Sequence, residues 1–167
     1  MTAVDTPTTL TEQQLGLMFQ YTVEAYKTFE KLAEKLPNSL AAQMFKAFAL
    51  DERASRDLLD MKTAAAGSSG PLRVTLGGDM LFEDILEGDL SYRETAEFLI
   101  ARERTMEKKL NEWAKNAAAV DRNLLVYLAA SKRAHVVELE RELELIRNDP
   151  DWFKREDAES RIVHGAR

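Results

Sequence analysis

Apolar residues recur at alternating steps of three and four along four long stretches of the chain, which is the spacing of amphipathic α-helices. The segments Thr11–Gln14 and Ser91–Glu94 have the pattern of capping boxes, and a proline after Leu36 ends the first stretch. The pattern predicts helices over about residues 11–36, 39–61, 91–117 and 121–149. With only 7 Gly and 4 Pro in the chain, little turn chemistry is left for strands.

The connections between these helices predict how they are arranged. The first and third connections are short, which makes the helices on either side antiparallel neighbours, whereas residues 64–88 form a long segment with several glycines and serines. An extended segment of that length can span a helix of about 25 residues, roughly 38 Å. We therefore expect an all-α four-helix bundle over residues 1–150, with one long crossover between helices two and three, and a charged C-terminal tail over 151–167.

Composition disfavours several classes of function. The 167 residues carry a formal net charge of -6, which works against a phosphate-binding surface, so no nucleic-acid partner is expected. The chain has no cysteine, which excludes disulfides, iron–sulfur ligation and thiolate zinc sites. No apolar run approaches the ~20 residues of a membrane span, and residues 1–10 lack the features of a secretory signal. We expect a cytoplasmic protein without membrane contact.

Polar side chains interrupt the apolar stripes near the middle of each predicted helix. These residues are Thr22, Glu52, Ser55, Glu103, Lys132 and His135. Their shared height along the bundle predicts that they meet in its core. Because a lone buried charge costs several kcal/mol, the charged members must pair with one another or bind a ligand.

The segments around these residues resemble the ferritin-like superfamily, and most closely its rubrerythrin-like branch. The resemblance covers about Leu15 to Leu143 and rests on Glu24–Glu34, Phe45–Leu59, Ala101–Glu103 and Ser131–His135. In that family four glutamates and two histidines bind two iron ions, with Glu and His at positions i and i+3 of one helix. The resemblance implies a ferritin-like bundle with iron as cofactor and an oxidoreductase activity.

Only half of the implied ligand set is present. The residues that match the family pattern are Glu52, Glu103 and His135. The residues that depart from it are Thr22, Ser55 and Lys132, which stand where Glu, His and Glu are expected. A protonated lysine has no lone pair for a metal. We therefore expect Lys132 to bridge the two glutamates and His135 to take up a proton, so that the site holds no metal.

Other interpretations of the same residues stay open. If the flexible stem of Lys132 reaches solvent, the remaining Glu and His side chains form a three-ligand site for iron or another divalent metal. Neighbouring carboxylates that can rotate in as substitute ligands are Asp51, Glu107 and Glu138. Without a metal, the core also has room for a small ligand beside Thr22 and Ser55.

These observations favour a non-catalytic interaction or regulatory module without a cofactor. The alternative is a metal-binding oxidoreductase that reduces peroxide or oxidises iron at an altered Glu/His site. Such an enzyme would need an external electron donor, because the chain lacks the cysteines of a rubredoxin-like iron domain. A second buried face, and hence a homodimer, is indicated by apolar residues off the stripes, namely Leu17, Tyr21, Phe98 and Tyr127.

Overall fold

The computed structural model describes residues 8–36, 39–65, 76, 82, 85 and 90–151. Its helices are α1 (Glu12–Lys35), α2 (Ser39–Ala65), α3 (Tyr92–Ala114) and α4 (Ala119–Asn148). The described residues contain no strand, only an isolated bridge between Thr8 and Ala117. The expected all-α four-helix bundle is therefore confirmed, while the tail from residue 152 onwards, including Trp152 and Phe153, lies outside the described residues.

Both predicted N-terminal caps are present. The Thr11 hydroxyl accepts a hydrogen bond from the Gln14 backbone N–H at 3.1 Å, and the Gln14 side chain accepts one from the Thr11 N–H at 2.9 Å. The Ser91 hydroxyl accepts from the backbone N–H of Glu94 at 3.2 Å. These bonds satisfy N–H groups that have no partner inside the first turn of a helix, and so they fix where α1 and α3 begin.

Helix α2 continues to Ala65, one turn beyond the predicted end near Met61. Thr63 extends the buried stripe of this helix, and its hydroxyl donates to the Leu59 carbonyl at 2.8 Å. Threonine can occupy an apolar position in this way because the helix backbone satisfies its hydroxyl. The spacing of apolar residues does not predict this turn, because threonine is a polar residue.

The helices pack as two hairpins, α1 with α2 and α3 with α4, as the short connections predict. At one end of the bundle the Tyr92 ring lies 6.5 Å from the Phe45 ring, which places the start of α3 beside the first turns of α2. At the other end Lys62, near the end of α2, forms an ion pair with Asp121 in the first turn of α4. Helices α2 and α3 are therefore parallel, the arrangement that a long crossover between them requires.

The described residues of the crossover pack against this chain's own core. Leu76, Phe82 and Ile85 are all buried, and the Phe82 ring meets the Tyr21 ring edge-on at 5.1 Å between centroids. Tyr21 is fully buried and Leu17 is partly buried against the core, so both residues pack within this chain.

None of the described helices is long and apolar enough to cross a membrane.

Candidate functional site

The charged residues that interrupt the stripes meet in the middle of the bundle. Helix α2 contributes Glu52, α3 contributes Glu103, and α4 contributes Lys132 and His135, all of them buried. Lys132 is only 2% exposed, so its side chain does not extend to solvent. The structure thus places two carboxylates, one ammonium and one imidazole in the same part of the core, and we call these four residues the core charge cluster.

Lys132 connects the two glutamates. Its ammonium donates to Glu52 Oε1, and it lies 3.7 Å from Glu103 Oε2. The same nitrogen lies 5.1 Å above the centre of the Tyr21 ring, a distance at which a cation is attracted to an aromatic face. Burial alone would lower the pKa of Lys132, but the charges of Glu103 and Glu52 outweigh burial and raise it. Lys132 therefore keeps its positive charge.

His135 is held between carboxylates on both sides of its ring. Its Nδ1 lies 2.7 Å from Glu103 Oε1, and its Nε2 lies 2.8 Å from Asp51 Oδ2. An ionised carboxylate only accepts hydrogen bonds, so both ring nitrogens must carry hydrogen and the ring is an imidazolium. Burial by itself would lower the pKa of His135, but the hydrogen bonds to Asp51 and Glu103 raise it to about 9.

The two glutamates of the cluster differ in how well they are satisfied. Glu103 accepts from the Tyr21 hydroxyl at 2.7 Å as well as from His135, and burial, which would raise its pKa, is outweighed by Lys132 and these bonds, so the pKa is lowered. For Glu52 burial prevails over Lys132 and the pKa is raised. The charge of Glu103 also raises the pKa of Glu52. The second oxygen of Glu52, Oε2, is buried and has no hydrogen-bond partner among the described residues.

The cluster is close to electrically neutral without any ion. Lys132 and His135 contribute two positive charges, and Glu52 and Glu103 contribute two negative charges. Aromatic rings enclose it, with Phe48 4.2 Å and Phe29 5.7 Å from the imidazole. A buried ionic group is tolerated when its members satisfy one another. These four side chains do so except at Glu52 Oε2, which has no partner among the described residues.

Metal-ligating atoms are also close together in this cluster. One ligand atom from each of Glu52, Glu103 and His135 falls within 4.8 Å of the others. The ammonium of Lys132 lies among these carboxylates, however, and both nitrogens of His135 face carboxylate oxygens. A pair of iron ions does not fit this arrangement, because a fixed cation occupies the space between the carboxylates and the imidazole has no free lone pair.

The remaining predicted residues lie beside the cluster. Ser55 is buried, and its hydroxyl donates to the Asp51 carbonyl of its own helix at 3.0 Å. Thr22 is buried next to Glu52 in the wall of a groove. Of the neighbouring carboxylates, only Asp51 reaches the cluster. Glu107 instead lies 3.9 Å from Arg133, and Glu138 pairs with Arg141 at 2.7 Å.

Tyr21 is the member of the site that the interruptions of the apolar stripes do not predict. Its hydroxyl contacts Glu103, and its ring lies under Lys132. Burial, followed by the charge of Glu103 and the hydrogen bond to it, raises the pKa of Tyr21 well above its usual value, so the phenol stays protonated and donates. A signal was present, because Met18, Tyr21, Ala25 and Phe29 follow the helical spacing of a buried stripe.

Comparison with known proteins supports the fold and leaves the chemistry unassigned. No protein-family model matches the chain, and no curated protein matches it. A solved structure of a hypothetical protein from Pyrococcus furiosus is similar, with a TM-score of 0.67, 17% sequence identity, and coverage of 82% of this chain and 90% of that one. At this identity the likeness shows a shared helical fold alone.

Removing the ammonium is expected to destabilise the bundle. Lys132→Met keeps the apolar stem but leaves Glu52 and Glu103 without their shared cation, so the free energy of unfolding should fall by about 3 to 5 kcal/mol. Urea denaturation followed by circular dichroism measures this change. Lys108→Met, an exposed change on α3, is the control and should stay within about 0.5 kcal/mol of the parent protein. Equal effects of the two substitutions would contradict the role assigned to Lys132.

Stability should also depend on pH through His135. Its pKa is raised from 6.5 to about 9 in the folded chain, so its contribution is fully present below pH 6.5 and is lost as pH rises through about 9. The shift corresponds to about 3 kcal/mol of unfolding free energy. Denaturation between these pH values, compared with His135→Gln, tests the expectation. The substituted protein should lose most of this dependence, and an unchanged slope would show that other groups cause it.

Proposed function

We propose that this chain is a ferritin-like bundle of the rubrerythrin-like type in which the core charge cluster stands in place of a metal pair, and that it acts as a non-catalytic interaction or regulatory module. The observation that carries the proposal is the position of Lys132, whose ammonium contacts both Glu52 and Glu103. The cation that a metal would supply to these carboxylates comes from a side chain instead. The ammonium and the imidazolium balance the two glutamates, and all four side chains are buried.

The residues at the other departing positions support the same proposal. Thr22 and Ser55 occupy places where the resemblance implies a glutamate and a histidine, and the Ser55 hydroxyl is bound to its own helix backbone. Ligation of two iron ions needs several carboxylates and imidazoles with free lone pairs. The cluster has only two buried carboxylates, and both contact Lys132.

A second candidate function is metal-dependent oxidation or reduction at an altered site. The closeness of ligand atoms from Glu52, Glu103 and His135 favours it. These three residues would hold one divalent ion, such as iron, after the ammonium had moved aside and His135 had lost a proton. The metal would supply redox chemistry, and electrons would come from an external donor.

Metal uptake separates the two candidates. Chelator-treated protein incubated with iron(II) or zinc is expected to retain far less than one ion per chain, measured by elemental analysis after desalting. The triple substitution Thr22→Glu, Ser55→His and Lys132→Glu should gain stoichiometric iron binding, because it restores the ligand types and removes the ammonium. Near-stoichiometric metal in the unsubstituted chain, with peroxide turnover, would favour metal-dependent chemistry and contradict the metal-free module.

The partner of the module is proposed to be a second copy of this chain. Val126 and Val137 lie about half exposed on α4, eleven residues or close to three turns apart, with the exposed Ala130 and Arg133 between them on the same side. Arg133 is paired with Glu107 of its own chain at 3.9 Å. Exposed apolar residues on one side of an otherwise charged helix are a common place for helices of two subunits to pack.

Light scattering after gel filtration tests the homodimer. The unsubstituted protein should have twice the 18.9 kDa mass of one chain. The double substitution Val126→Lys and Val137→Lys should give a monomer, because four lysines would then face one another across a two-fold contact. The matched control places lysines at two exposed apolar positions of α2, Leu50→Lys and Met61→Lys, and should remain dimeric. A monomeric parent protein would refute this partner.

A further inference from the structure

A groove of about 360 Å³ opens between α1 and α2, next to the core charge cluster. It is lined by Thr22, Val23, Tyr26, Lys27, Glu52, Arg53 and Arg56. Two of these residues, Thr22 and Glu52, belong to the polar positions that interrupt the apolar stripes. The wall of the groove therefore includes a residue with a buried carboxylate.

Glu52 brings an unsatisfied acceptor to this groove. Its Oε1 accepts from Lys132, while its Oε2 is buried and meets no donor among the described residues. A buried carboxylate oxygen without a donor destabilises the folded chain. The side chain itself is 0% exposed, so a donor that enters the groove reaches Oε2 only if the side chains of the groove wall move aside. A small molecule that carries a hydrogen-bond donor would therefore find an acceptor in the groove, namely Glu52 Oε2.

Positively charged side chains line the groove, and they favour a ligand with an anionic group. Lys27, Arg53 and Arg56 are all exposed and all line it. Arg56 has a long ion pair of 4.0 Å with Asp60, in which both side chains are more than half exposed, so its guanidinium is only weakly engaged. Guanidinium groups bind carboxylates in a two-pronged geometry. A ligand with an anionic end is therefore attracted to the opening.

The donor that reaches Glu52 should be uncharged. Lys132 and His135 already balance the two buried glutamates, so a second ammonium beside Glu52 would add an unmatched positive charge to the core. It would also have to pass the three cations at the opening. A hydroxyl group donates one hydrogen bond without either penalty. Thr22, small and polar, leaves the space in which that hydroxyl can sit.

We infer that the groove binds a small α-hydroxy carboxylate, with its hydroxyl donating to Glu52 Oε2 and its carboxylate pairing with Arg53 and Arg56. The inference deepens the proposed function and rests on it, since it gives a regulatory module the molecule that it senses. Occupation of the groove would bridge α1 and α2 beside the core charge cluster and stabilise the bundle by mass action.

Calorimetric titration of chelator-treated protein with four related probes tests the inference. Glycolate or L-lactate should bind with a dissociation constant of about 1 mM or below. Propionate, which matches lactate but lacks the hydroxyl, should bind at least about tenfold more weakly, because it leaves Glu52 Oε2 without a donor. L-Alanine, which replaces the hydroxyl with an ammonium, should also bind more weakly. Equal binding of lactate and propionate, or tighter binding of alanine, would overturn the assignment.

Substitutions locate the binding in this groove. Arg53→Met should weaken lactate binding at least about tenfold, since it removes a charged partner of the carboxylate. Lys46→Met removes the same charge from an exposed position of α2 outside the groove and should leave binding unchanged. Thr22→Leu should abolish binding by filling the space beside Glu52, and circular dichroism confirms that each variant is folded. Equal weakening by Arg53→Met and Lys46→Met would show nonspecific attraction and contradict the site.

The metal content of the same samples shows which proposal has failed, the metal-free module or the ligand bound in the groove. A metal-free protein that binds none of the probes refutes the ligand and leaves the metal-free module standing, with water satisfying Glu52. Stoichiometric metal in the sample before chelation refutes the module whatever the titration shows.

Discussion

The structure depends on one buried ammonium group. Two glutamates from different helices can stay inside the bundle only if a cation accompanies them, and Lys132 supplies it. His135, one turn further along α4, supplies the second positive charge and is fixed on both sides by carboxylates. Helix α4 thus carries both cations, while α2 and α3 carry the anions. Burial of these side chains strengthens each of these contacts.

Helix positions were largely predictable from sequence because local chemistry decides them. The hydroxyls at Thr11 and Ser91 begin two helices, and both bonds are found as expected. The end of α2 was not predictable from apolar spacing, since a buried threonine that bonds its own backbone continues the helix. The topology followed from the lengths of the connections alone.

The composition of the site was predictable in part, and its exact contacts were not. Interruptions of the apolar stripes predict that polar residues meet in the core, and the structure brings the four members of the core charge cluster into contact. Tyr21 was missed because helical spacing leaves neighbouring positions at the edge of a stripe hard to distinguish. Asp51, whose side chain is 53% exposed, joins the cluster only because one nitrogen of His135 faces outward. Such contacts depend on side-chain direction, which spacing along a helix does not specify.

The division of the bundle into two hairpins gives the buried charges a further consequence for folding. The α1–α2 hairpin carries Asp51 and Glu52, and the α3–α4 hairpin carries both cations. Apolar surfaces alone would let the hairpins slide against one another, but a slip of one helical turn, about 5.4 Å, would part Lys132 from Glu52. Glu52 would then be buried without a cation, while Lys132 would keep only Glu103 of its own hairpin. The ion pair between Lys132 and Glu52 therefore fixes the register in which the two hairpins pack.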